Sequence, residues 1–179
     1  MSLTIRRADQ NDVDAIAPLF DAYRCFYAQP SDPERAREWL LERLQRDESV
    51  ILVGERTGTV VGFTQLYPMF SSVRTARLWV LNDLFVAEDA RRCGAARALL
   101  DAAAQFARED GAAGIMLETA CDNAPARALY VAAGWTEDAS QWYSLPLGPN
   151  SPGKRSAPRT AQLLAPGSGL RTGPGNGRS

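Results

Sequence analysis

The sequence predicts an α/β (α+β) domain over residues 1–148, with a mixed, mostly antiparallel central sheet flanked by helices, and a disordered tail over residues 149–179. Three observations carry this. The apolar periodicity switches between strand and helix spacing in the order β-α-α-β-β-β-α-β-α-β. A Thr57-Gly58 turn joins two apolar runs of hairpin character. A further strand ending in Leu84-Phe85-Val86 runs through a charged loop into a helix that opens on small residues.

The elements follow in order. Leu3–Arg7 reads as a first strand, and Asp9 as the N-cap of a helix reaching about Ala28, with Val13, Ile16, Ala17 and Phe20 at helical spacing. Ser31-Asp32-Pro33-Glu34 supplies a cap and a first-turn proline to a second helix, which continues through Trp39, Leu40 and Leu44 and breaks near Asp47. Ser49–Arg56 and Val60–Phe70 form an antiparallel hairpin, and Arg77–Val86 a further strand. A Gly94–Asp110 helix, an Ala113–Ala120 strand, an Asn123–Ala133 helix stopped by Gly134, and terminal strand material to Leu147 complete the domain. The tail is dominated by Gly, Pro, Ser and Arg and cannot bury enough apolar area to offset its chain entropy.

Composition removes whole classes of function. With 179 residues, 45% of them hydrophobic, the chain suffices for one core. No apolar run approaches the ~20 residues that span a bilayer. The N-terminus, Met1-Ser2-Leu3-Thr4-Ile5-Arg6-Arg7, lacks a signal-peptide hydrophobic region, so a cytoplasmic protein with no membrane partner is expected. There is no histidine, which removes His-based triads and most catalytic metal sites; no metal is expected. Cys25, Cys93 and Cys121 are odd in number, lack ligand spacing and read as free thiols. Residues 150–179 hold five basic groups and no acid, leaving 15 basic and 21 acidic groups, a net of −6, in residues 1–149. An acidic domain disfavours nucleic acid and favours cationic or amine substrates.

The charged loop reads Arg91-Arg92-Cys93-Gly94-Ala95-Ala96. Gly94 lets the backbone turn and approach a ligand, and Ala95 and Ala96 keep the first helical turn narrow, so that its free N–H groups and the helix dipole favour an anion such as a pyrophosphate. P-loop and dinucleotide readings fit poorly, since there is neither a Gly-Lys-Ser/Thr ending nor a Gly-x-Gly-x-x-Gly. Arg91-x-x-Gly94-x-Ala96 after an apolar strand resembles the acyl-CoA signature of the GNAT superfamily of N-acetyltransferases. Thr119-x-x-Asp122-Asn123-x-x-Ala126-x-x-Leu129-Tyr130-x-x-x-Gly134-Trp135 is similar to that family's C-terminal CoA segment. Within the family the likeness lies toward the polyamine, thialysine and histone-acetyltransferase-like enzymes, although the polyamine and thialysine enzymes carry an acid where this chain has Asn82.

The resemblance covers residues 3–147 and implies a single GNAT-fold domain that moves an acetyl group from acetyl-CoA to a primary amine by direct transfer in a ternary complex. The alternative it leaves is an acyl-CoA-binding regulatory or non-catalytic module. It implies a bulge in the strand Trp79–Val86, whose backbone at Leu84, Phe85 and Val86 would pair with the pantetheine arm as another strand would. It implies a pyrophosphate site at Arg91, Arg92, Cys93, Gly94, Ala95 and Ala96, and further cofactor contacts from Asn123, Ala126 and Tyr130. A main-chain N–H such as that of Leu84 would meet the developing oxyanion.

Roles at the reacting centre follow from chemistry. The leaving group is a thiolate, which the Tyr130 O–H can protonate. Asp83 is the one carboxylate in an apolar run and is placed to orient the ammonium or accept its proton; a structural carboxylate bonded to backbone accounts for it equally well. Tyr23 and Tyr27, with Tyr67 and Phe70 of the hairpin, are candidates for the acceptor wall, while Phe26 reads as packing. Ser71-Ser72-Val73-Arg74 is expected to be a loop near the acceptor. The acceptor is a small-molecule or peptide amine, and a homodimer is left open.

Overall fold

The computed structural model describes residues 3–145 and 147, so the predicted tail lies outside the described residues. Strand β1 (Leu3–Arg7) is followed by a single turn, Gln10–Asp12, and α1 (Val13–Phe26). Asp9 caps that turn through a box in which its side chain accepts from Asn11 N and its own N–H reaches Asp12. A left-handed Ala28 (φ 59°) ends the segment just past α1. Helix α2 (Pro33–Gln45) starts on the Asp32 cap. The loop between the helices is fixed by buried Asp21, which accepts from Ser31 Oγ at 2.6 Å, Asp32 N at 2.9 Å and Arg24 at 2.7 Å.

Strands β2 (Val50–Arg56), β3 (Thr59–Ser71) and β4 (Ala76–Val86) form a meander beside β1, and α3 (Ala95–Glu109) carries the chain to β5 (Ile115–Leu117), which α4 (Ala124–Ala132) follows. The sheet order is β1-β2-β3-β4-β5, antiparallel except for the parallel β4–β5 pair. A parallel pair needs a crossover, and α3 provides it. Alternation along the strands divides the core between two faces. Phe63, Phe85 and Ile51 meet Ile16, Phe20 and Leu40 beneath α1 and α2, while Leu52, Leu66 and Leu81 meet Leu99 and Leu100 beneath α3.

Two expectations are corrected. The Ala113–Ala120 strand shrinks to Ile115–Leu117, because β4 bends away beyond Leu81 and leaves the later residues nothing to pair with. No strand forms over residues 135–145. There Asp138 turns back to accept from Ser140 N at 2.7 Å and the Tyr143 hydroxyl donates to Gln141 at 3.2 Å, local bonds that compete with a ladder, and Trp142 and Tyr143 stay exposed.

Gly62 marks the closest approach of β3 and β4. A Cβ there would stand 2.8 Å from the Phe85 carbonyl oxygen and 3.1 Å from Val86 Cγ2. Gly62→Ala should cost about 1–3 kcal/mol through this overpacking and lower Tm by roughly 5 °C. An unchanged melting curve would show that the two strands part at no cost.

Candidate active site

Between β4 and β5 the sheet opens. Their pairing runs from Trp79↔Ile115 to Leu81↔Leu117 and stops, although β4 continues to Val86. The cause lies in the β3–β4 register, which passes from Leu66↔Leu81 to Gln65↔Asp83 and leaves Asn82 as an extra residue on β4. A bulge of this kind bends and twists its strand, so β4 swings away from β5. The cleft that results is walled by Tyr23 and Phe26 of α1 and Tyr27 just past its end, by Asn82, Leu84 and Phe85 of β4, by Leu117–Thr119, and by Asn123, Ala126, Leu129 and Tyr130 around α4.

Beyond Phe85, which lines the cleft, β4 ends at Val86 and a single turn, Glu88–Ala90, leads the chain to the start of α3. Arg92 (φ 60°) and Gly94 (φ 85°) are both left-handed, two residues apart, a backbone form that turns successive N–H groups into one concavity. Gly94 caps α3 with no side chain bonded to the leading N–H groups, and an added Cβ there would meet nothing within 4 Å. The neighbouring side chains are held aside. Arg91 Nε donates to the Val86 carbonyl at 3.1 Å with its guanidinium 5.8 Å from the Phe85 ring centre, Cys93 Sγ donates to the Ala90 carbonyl, and Arg92 is exposed.

The middle of the cleft is phenolic. The Tyr23 and Tyr27 rings meet edge to face at 5.0 Å, and Tyr130 approaches across the cleft from α4. Burial and the neighbouring Tyr27 push the Tyr130 phenol above its ordinary value of 10; a hydrogen bond from Thr119 opposes this. Asn123 caps α4, its side chain accepting from Ala126 N at 3.3 Å. Beneath Tyr23 lies Asp83, 5% exposed. Burial pushes its carboxyl up to about 6, while hydrogen bonds from Asn82 Nδ2 (3.0 Å) and Tyr23 pull the other way. The Tyr23 hydroxyl also donates to the Asn82 carbonyl at 3.4 Å, a long contact that leaves it free to serve Asp83; burial and the Asp83 charge push its own pKa upward. The Asp83 carbonyl accepts from Thr64 Oγ1 at 2.8 Å, which fixes the strand at this residue.

The sequence-predicted residues Tyr23, Tyr27, Leu84, Phe85, Asn123, Ala126 and Tyr130 therefore share one cleft, with Asp83 under its floor. Phe26, expected to be packing, also lines it, and so does Thr119, whose place directly upstream of Asp122-Asn123 was the only signal for it. Phe70 does not join the wall; it is 70% exposed and stacks with Arg77 at 5.5 Å. The Ser71–Arg74 turn closes the end of the β3–β4 hairpin opposite Asp83, so it does not border the cleft. Among the described residues no cluster of His, Cys, Asp or Glu could hold a metal ion, and no helix is long and apolar enough to cross a membrane.

Comparison with known proteins agrees with this geometry. Residues 16–135 match the family model described as Acetyltransferase (GNAT) family. An uncharacterised N-acetyltransferase of Bacillus subtilis (strain 168), YhfO, is 49% identical over 136 residues, 76% of this chain and 91% of the relative. A probable acetyltransferase of Haemophilus influenzae is 35% identical over 56% of this chain and 69% of its own. A crystal structure of a probable acetyltransferase superposes with a TM-score of 0.78 at 42% identity, covering 81% of this chain and 98% of that one. The aminoglycoside N-acetyltransferase AAC(6')-Iy, solved with CoA, shares the fold, with a TM-score of 0.69 at 18% identity over 80% of this chain and 95% of that one. By this family match and these relatives, the chain belongs to the GNAT acetyltransferase family.

Proposed function

We propose that this acetyltransferase moves the acetyl group of acetyl-CoA to a primary amine by direct attack in a ternary complex. The observation that carries the reading is the parting of β4 and β5, which brings phenols from α1 and α4 to one cleft above a buried carboxylate. The residues fit the co-substrate. The β4 edge at Leu84, Phe85 and Val86 has no β5 partner and can pair with an extended amide-bearing arm, and the start of α3, with open space beside Gly94 and no side-chain cap, can take phosphates on its leading N–H groups. Arg91, Arg92 and Cys93 shape that loop, and Asn123 and Ala126 border the arm from the other side. Acetyl-CoA supplies the thioester whose acyl carbon is attacked.

The chain's own groups then divide the work. Tyr23 and Tyr27 pack beside the acceptor, and Asp83 attracts its ammonium and takes a proton from nitrogen. A backbone N–H of the free β4 edge, that of Leu84 first, meets the oxygen that gains charge. Tyr130 gives its O–H to the departing sulfur. The cleft wall contains no cysteine, the most nucleophilic of the side chains that form acyl-enzymes, and this favours direct transfer.

Asp83→Asn should raise the acceptor KM, lower the rate about 10- to 100-fold and remove the acidic limb of the pH–rate profile near pH 6, while sparing CoA affinity. The same substitution should stabilise the fold. The unfolded chain ionises Asp83 near 3.8 and the folded chain near 6, so between those values the fold binds the extra proton and loses stability as pH rises. At pH 7 the loss is on the order of 3 kcal/mol. The Asn variant should therefore melt higher at neutral pH, with the gap closing toward pH 4. Screening an amine panel with acetyl-CoA and thiol detection identifies the acceptor; an unchanged pH profile in the variant would remove Asp83 from the chemistry.

A further inference from the structure

Asp83 belongs to a polar row. Phe63 and Phe85 pair across β3 and β4 and both enter the core beneath α1 and α2. Gln65 and Asp83, two residues along on each strand, pair in the same register and so share that face. Ile51 pairs with Gln65 and lies in the same core, which puts Ser49, two residues earlier, on that side as well. All three polar residues are buried, and Gln65 is 0% exposed.

The bonding of this row is incomplete. Gln65 Nε2 donates to Ser49 Oγ at 2.7 Å, while Gln65 Oε1 is buried without a partner. A buried acceptor left without a partner is costly. With the amide NH2 held toward β2, its oxygen lies on the branch turned away from Ser49. An ionised Asp83 has only acceptor oxygens to offer, so it cannot fill the vacancy; a protonated Asp83 can.

We infer that Gln65 is a positioning residue for Asp83: its Oε1 accepts a hydrogen bond from the protonated Asp83 carboxyl, while Ser49 Oγ takes the amide NH2 on the other side. In that orientation the row is satisfied only after Asp83 has gained a proton. The proton moves from the amine nitrogen to an Asp83 oxygen and stays there, hydrogen-bonded to Gln65. The other groups facing Asp83 act in the opposite sense or at longer range. Asn82 Nδ2 on β4 and the Tyr23 hydroxyl on α1 favour the ionised form. Tyr67 on β3 senses the Asp83 charge, and Arg43 of α2 and Glu48 act on Tyr67. Burial is what raises the carboxyl, and the Gln65 acceptor adds to that push by stabilising the protonated form.

This inference rests on the reading of Asp83 as proton acceptor for its catalytic consequence, but its test does not. The free full-length protein, labelled with carboxyl-13C aspartate, is titrated by NMR, with the Asp83 signal assigned by its loss in Asp83→Asn. Gln65→Met keeps the side-chain volume and removes the acceptor. It should lower the Asp83 midpoint by about one pH unit, the worth of one hydrogen bond. Ser49→Ala frees the amide to turn its NH2 toward Asp83 and should lower the midpoint as well; it carries the test if Gln65→Met does not fold. An unmoved or raised midpoint in a folded variant overturns the inference. In kinetics, the acidic limb should move with the NMR midpoint. A limb that stays fixed while the midpoint falls would leave the hydrogen bond standing and remove Asp83 as the base.

Discussion

Tyr130→Phe is expected to lower turnover about 10²-fold while leaving acetyl-CoA affinity close to that of the parent. The ring and its packing against Trp135 at 6.4 Å persist in the variant, so the cleft keeps its shape and only the O–H is lost. Burial and Tyr27 hold that phenol above its ordinary value of 10, and no loss of rate through its ionisation is expected across neutral pH. Thr119 and Tyr130 line the same cleft, and the Thr119 contact lowers the phenol pKa against the push of burial. Steady-state kinetics with calorimetric titration of acetyl-CoA separates the two quantities. Equal turnover would reduce Tyr130 to a packing residue and leave the thiolate to be protonated by another group.

Gly94→Val should weaken CoA binding about 10²-fold, the loss of one or two charge-assisted hydrogen bonds to phosphate. Two effects combine at this residue. Its φ of 85° is strained for any L side chain, at a cost of about 1–2 kcal/mol, and the new methyls occupy the open space beside the start of α3. Gly94→Ala carries the strain with little bulk and serves as the control. The Val variant should stay folded, with a melting temperature lower by a few degrees. Unchanged affinity in that folded variant would remove the start of α3 from the site.

What the sequence made legible was local. A left-handed turn before a helix demands glycine, an N-cap demands a short polar side chain, and Gly94 and Asn123 announce both within a few residues. The bulge at Asn82 carries no such mark; only the resemblance pointed to it, because a register shift is a property of two strands together. Gln65 and Ser49 were invisible for the same reason, since their tie to Asp83 exists only once β2, β3 and β4 are in register. Phe70 shows the opposite failure. Alternation says that an aromatic can face a surface, but not how far along a long hairpin the cleft extends. The missing strand over residues 135–145 was lost to Asp138, whose side-chain turn outcompetes a partner edge of only three residues.

The unfinished seam between β4 and β5 also bears on the lifetime of the protein. A strand edge left without a neighbour is completed by whatever pairs with it, so on the reading given above the co-substrate acts as a temporary structural element. By mass action, a ligand at a hundredfold excess over its Kd adds about 2.7 kcal/mol to the folded state. Transient opening, and with it exposure to proteases, falls by the corresponding factor of about one hundred. On that reading, the folded population rises and falls with the supply of the co-substrate.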